Sequence, residues 1–131
     1  ENLNVHVSSS TYINKNDIAT QNFEKQFELS YGMFPSSEAY KGYDLMLYFG
    51  RMLHKYGTGF LNKLEENPAE HLHSYFAFER VTINTGSMEE GDYKVKQFEN
   101  KYVNILRFRD FYFQRVNPPL IQRIEVDPTR N

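Results

Sequence analysis

His71 and His73, one residue apart, come nearest to metal chemistry by residue type and spacing. On an extended segment such a pair puts both imidazoles on one side, and imidazole is a good zinc ligand. No third ligand is implied by the surrounding sequence, and the chain has no Cys. The pair is therefore expected to be a solvated loop feature, and no metal is assigned. Glu65-Glu66 and Glu89-Glu90 are paired carboxylates, but adjacent side chains rarely converge on one substrate bond, so both read as solvated termini or turns. Ser8-Ser9-Ser10 lacks the Gly-x-Ser-x-Gly setting of a nucleophile elbow, and no His is spaced to activate it. There is no Gly-rich phosphate loop. Neither a catalytic residue nor a cofactor follows from these patterns, and the chain is expected not to be an enzyme.

"RFRDFYFQR" (107–115) interleaves basic and aromatic residues, the composition of a nucleic-acid stacking surface. On a strand the two sets fall on opposite faces, and the chain carries a net charge of −2. An ordinary half-buried hairpin is the expected reading, with no nucleic-acid partner.

The elements that would position these residues follow from periodicity. "LNVHVSSSTYI" (3–13) alternates apolar and polar residues as a strand does. From Asp17 to Tyr31, Phe23, Phe27 and Tyr31 recur every four residues, and Gly32 is placed to stop the helix. "AYKGYDLMLYFGRMLHKYG" (39–57) predicts a second helix, capped by Ser36 or Ser37 and ended by Gly57. "TGFLNKLEEN" predicts a short third helix stopped at Pro68. Residues 74–83, 93–99, 101–108 and 111–117 read as strands, with turns at 86–91, Glu99-Asn100 and Arg109-Asp110. The tail 118–131 opens on a Pro pair and is expected to be extended.

At 131 residues, 40% hydrophobic and 24% charged, the composition suits a single globular domain. Its aromatic load is high, with eleven Phe and ten Tyr but no Trp. No stretch reaches the roughly 18 to 20 apolar residues of a membrane span. The helix over 39–57 is apolar on nearly every side. One leading strand and a late run of hairpins supply too little to cover it. A substantial part of the protein is expected to lie upstream, in keeping with a start at Glu1 rather than Met. The piece by itself is then expected to self-associate or be held by a partner. The alternative is a small α+β domain with three helices on an antiparallel meander.

The residues also resemble a known family. A helix ending at Tyr31-Gly32, a Pro-containing link, the 39–57 helix with Tyr43-Asp44 near its start, "FLNKLEEN", and Phe76-Ala77-Phe78 opening a β-run follow one another in order. This succession resembles the C-terminal portion of type I periplasmic (Leu/Ile/Val-binding-like) solute-binding proteins. The nearest flavour is the divergent Bacteroidetes-type branch sometimes associated with LysM modules. Two departures stand out: Ser74-Tyr75 where that family often has Gly or Asp, and the added tail.

The resemblance implies an α/β fold, the C-terminal part of a two-lobed receptor over residues 1–117, with 118–131 as an extended tail. It implies a non-catalytic solute-binding domain for a small polar ligand, an amino acid or short peptide. Its setting would be the periplasm or cell envelope of a bacterium, beside a membrane transporter of the ABC class or a peptidoglycan-associated module. The helix over 39–57 would present its N-terminal end to the cleft, making Glu38 and Tyr40 ligand-facing, with Tyr12 just past the first strand. Each has a plainer reading: a first-turn carboxylate for Glu38, a core ring for Tyr40, strand-end packing for Tyr12. The rival function is a pocket-less structural or interaction domain near peptidoglycan.

Overall fold

A computed structural model describes residues 4–84 and 93–119 of the chain. Helix α1 (Ile18–Tyr31) starts where the Asp17 carboxylate accepts the Thr20 N–H at 3.1 Å. It stops at Gly32, whose φ of 68° turns the chain left-handed and returns its N–H to the Glu28 carbonyl. Helix α2 (Ser37–Tyr56) is capped by Ser36, whose hydroxyl accepts the Ala39 N–H, and ends at Gly57. The segment after it, Gly57–Lys63, is the expected short third helix and takes the 3-10 form. Two glycines in its first three residues weaken the α form, and Pro68 leaves no room to propagate it.

The strands are β1 (His6–Ser9), β2 (Ala69–Glu70), β3 (Tyr75–Phe76), β4 (Phe78–Asn84), β5 (Tyr93–Asn100), β6 (Asn104–Arg109) and β7 (Tyr112–Arg115). All described pairings are antiparallel, in three small sheets ordered β1-β6-β7, β2-β3 and β4-β5. The chain is a small mixed α+β domain with two α-helices and several antiparallel strands.

The expected single meander does not form. Residues 93–99 and 101–108 were the two arms of a predicted hairpin about Glu99-Asn100, yet β5 pairs with β4 and β6 with β1 and β7. The reason is Asn100. Its amide accepts the Ala77 N–H at 2.9 Å and donates to the Tyr75 carbonyl at 2.8 Å, while Lys101 N–H donates to the Ala77 carbonyl. These bonds hold the chain against the break between β3 and β4 and send it across to the leading strand. There β6 takes the register His6↔Arg107 to Ser9↔Asn104. The predicted turns over 86–91, the Glu89-Glu90 pair and the tail from 120 onward lie outside the described residues.

The β6–β7 turn falls one residue later than predicted. Arg109 pairs with Tyr112, leaving Asp110 and Phe111 as a two-residue loop with φ of 52° and 66°. Positive φ at both positions is the type I′ turn, usually filled by Asn-Gly or Asp-Gly. Asp tolerates it; a bulky Phe does so at a cost of about 1–2 kcal/mol.

The core is aromatic and lies under one stripe of α2. Tyr40, Asp44, Tyr48 and Met52 recur every four residues and are all buried. Tyr48 and Met52 pack with Leu64 and Phe76, and Leu45, Phe49, Phe60, Phe78 and Phe98 close around them. Burial pushes the Tyr48 hydroxyl up to about 12, and it donates to the Asn67 carbonyl at 3.0 Å. The other flank of α2 is open: Met46 is 76% exposed, with Tyr43 and Leu53 also exposed. Helix α1 buries only Thr20 and docks through Phe23, 5.0 Å from the Tyr40 ring and 4.7 Å from Tyr43.

This asymmetry is measurable. Leu64→Ala, at 2% exposure, should cost about 3 kcal/mol in urea unfolding, whereas Met46→Ala should stay within about 0.5 kcal/mol. A comparable loss for Met46→Ala would mean that the open flank is covered in solution.

Candidate functional site

Chemistry-bearing side chains gather at the N-terminal end of α2, and Asp44 brings them there. Asp44 is 0% exposed. Its Oδ1 accepts the Leu72 N–H at 3.1 Å, and its Oδ2 accepts the His73 and Ser74 N–H groups at 2.9 Å each. Three consecutive backbone donors thus converge on one carboxylate, the arrangement that makes a buried anion tolerable. The β2–β3 connection is thereby fixed against the second turn of α2.

His73 sits at the centre of the cluster and is 4% exposed. The expected loop placement of His71 and His73 holds, but the expectation that the pair is solvated is corrected: His73 is buried and His71 half-buried. The two residues lie in the connection between β2 and β3, not on one strand, and their rings take different surroundings. The His71 ring meets Tyr48 and Phe76 at 5.9 and 5.5 Å between centroids. The His73 ring lies nearly parallel to Tyr40, 6.2 Å away. Its Nε2 is 3.4 Å from Ser37 Oγ and its Nδ1 is 3.2 Å from Ser74 Oγ. Among the described residues no three His, Asp or Glu side chains form a metal-binding group. The Ser37–His73 contact is long for proton transfer, and a hydroxyl rather than a carboxylate faces Nδ1, so among the described residues no orienting anion completes a nucleophilic triad.

The three predicted ligand-facing residues all border this cluster. Glu38 is exposed in the first turn of α2. Its own backbone N–H and the Ser36 hydroxyl hold its carboxyl below the usual carboxylate range, keeping it ionised. Tyr40 is 2% exposed, so the plainer reading of a core ring is the observed one. Its hydroxyl donates to the Glu24 carboxylate and accepts from Lys15 Nζ at 3.2 Å, and burial followed by the Glu24 bond raises its pKa. Lys15 also bonds Glu24, lowering the Glu24 pKa together with Tyr40 and raising its own. Tyr12 is half-buried. Its N–H donates to the His73 carbonyl at 3.0 Å, and the Arg115 guanidinium lies over its ring at 5.2 Å. Arg115 in turn pairs with Glu70 and reaches Asn104, tying the β1-β6-β7 sheet to the β2 segment.

Of the other pairs, Glu65 bonds Arg80 and Glu66 bonds Lys63, both at the surface. The sequence reading missed His73 as a centre and Asp44 as its anchor. A signal for Asp44 was present: it stands on a four-residue stripe between Tyr40 and Tyr48, where a carboxylate must find donors. Nothing comparable marks Lys15, Glu24 or Ser37: Lys15 and Glu24 meet at the Tyr40 hydroxyl where α1 docks on α2, and Ser37 meets His73 from the β2–β3 connection.

No family model, curated protein or solved structure matches this chain.

Two outcomes test the cluster. Asp44→Asn keeps the shape but sets an NH2 group against N–H donors, and should cost about 3 kcal/mol or more in urea unfolding. Tyr43→Phe, beside it but outside these bonds, should change stability by less than about 0.5 kcal/mol. The second outcome is pH dependence. Burial is the main cause holding the His73 imidazole below its ordinary 6.5, against the opposing pull of Asp44. Just below pH 6.5 the unfolded chain therefore binds more protons than the folded one, and stability falls with falling pH through the depressed folded value. Melting temperature should be level near neutrality and decline from about pH 6.5 downward. His73→Gln should remove that decline, leaving the later one below 4.5 to which Glu24 contributes.

Proposed function

We propose that this chain is the C-terminal portion of a type I periplasmic-binding-protein-like receptor. It would be a non-catalytic domain that captures a small polar ligand, an amino acid or short peptide, in the bacterial cell envelope. The observation that carries this reading is the Asp44 contact. Tyr43-Asp44 and Phe76-Ala77-Phe78 carry the resemblance from separate parts of the sequence. The Asp44 carboxylate joins the first to residues 72–74, directly before the second. A shared sequence pattern is more telling when its pieces are bonded in one structure. The open flank of α2 and the thinly packed α1 add support, since a two-lobed α/β fold would cover both.

In this reading Glu38 is the ligand-facing charge, ionised at the exposed mouth of the cluster and suited to an ammonium group. Tyr12 borders the same mouth. Tyr40 acts from beneath, holding α1 to α2 through Glu24 and Lys15.

A pocket-less interaction domain near peptidoglycan is the second reading. It draws on the same Tyr40–Glu24–Lys15 set, whose polar atoms are spent on one another rather than held ready for a ligand.

Thermal-shift and calorimetric titration against amino acids and di- and tripeptides separates them. Binding of at least one, weakened by Glu38→Gln by roughly tenfold, is the expected result for loss of a charge-assisted bond. A flat response across the set, with retention on insoluble peptidoglycan, would favour the interaction domain.

A further inference from the structure

The hairpin β6–β7 carries the segment 107–115, whose alternation of basic and aromatic residues neither reading above uses. Phe111 stands at its tip, 97% exposed and at a φ that a Phe side chain disfavours. Ladder partners place Phe108 opposite Phe113, with their rings 5.1 Å apart. Val7 lies on that same face of the sheet, and all three side chains are exposed. Arg107 and Arg109 point from the other face. Among the described residues the Arg107 guanidinium makes one long bond, 3.5 Å to Gln114, and the exposed Arg109 lies 3.5 Å from the Asp110 carboxylate. Between residues 101 and 117 the chain has Lys101, Arg107, Arg109 and Arg115 against the single acid Asp110, although its overall charge is −2. Arg115 is turned inward to Glu70 and Lys101 pairs with Glu99, which leaves Arg107 and Arg109 as the basic side of the tip.

We infer that this hairpin tip contacts the surface of an anionic lipid bilayer. Phe111 and the Phe108/Phe113 pair would enter the boundary between headgroups and acyl chains, while Arg107 and Arg109 reach lipid phosphates. The apolar side and the basic side meet at a narrow tip, the arrangement that seats aromatic rings and arginines at an interface. Charge complementarity selects the occupant, because a locally basic edge on an acidic chain is drawn to anionic headgroups. Strain points the same way. A residue that makes its own turn less stable while burying nothing within the fold is explained by a contact outside it. No described helix is long and apolar enough to cross a membrane.

The test is flotation of the protein with vesicles of phosphatidylcholine alone or mixed with phosphatidylglycerol. Binding is expected to the mixed vesicles, weakening as salt rises. Phe111→Gly is the decisive variant: glycine accepts a φ of 66°, so its melting temperature should equal or exceed that of the parent. Its vesicle partition should nevertheless fall by roughly tenfold or more. Arg109→Gln should weaken binding to the mixed vesicles. The inference is overturned if the parent does not float with mixed vesicles, if it floats equally with both kinds, or if Phe111→Gly floats unchanged. It is also overturned if light scattering without lipid shows a dimer that Phe111→Gly dissolves, since the tip would then be a contact between copies.

Discussion

A carboxylate with no access to water has to be answered by hydrogen bonds, and Asp44 is answered by three successive backbone N–H groups. Much else in the molecule depends on that contact. It sets how far the β2–β3 connection lies along α2, and so it places the His73 ring against Tyr40 and near Ser37. The His73 carbonyl then receives the Tyr12 N–H, which aligns the exit of β1 with the same region. One short side chain thereby links the leading strand, the main helix and the start of the β-run.

Around this polar anchor the packing is aromatic and one-sided. The stripe from Tyr40 to Met52 meets Leu64, Phe76 and their neighbours, whereas Tyr43, Met46 and Leu53 on the same helix face outward. The two flanks of α2 thus do different things: one holds this domain together, and the other presents apolar surface. The proposed receptor accounts for the second flank by a larger fold, and the N-terminal end of the helix by a ligand. The acidic side chain at that end, Glu38, is ionised and exposed, whereas the nearby Tyr40 hydroxyl is engaged with Glu24 and Lys15. Exposed charge at the helix end and a closed network below it are the features on which the proposed receptor reading draws.

How much could be read in advance differs element by element. The ends of α1 and α2 were legible because Asp17, Gly32, Ser36 and Gly57 act on their own neighbours in the chain. Most strands were legible by their alternation, though not β2 or the break at Ala77 that splits the predicted 74–83 strand into β3 and β4, and their partners were not legible. Nothing in 93–108 announces that Asn100 will bond Tyr75 and Ala77 and so divert β6 to β1. Likewise, His71 and His73 look alike in sequence and part company only when one ring meets Tyr48 and Phe76 and the other Tyr40.

The sequence by itself determined where the two α-helices begin and end, since caps, glycines and hydrophobic period act within a few residues. It also determined that α2 is more apolar than one face requires. Only the tertiary structure decided which strands pair, which histidine is central and which tyrosine is hidden. Those outcomes rest on contacts such as Asp44 with residues 28 to 30 positions away. Over that separation, residue type says that a carboxylate needs donors but not which donors will arrive.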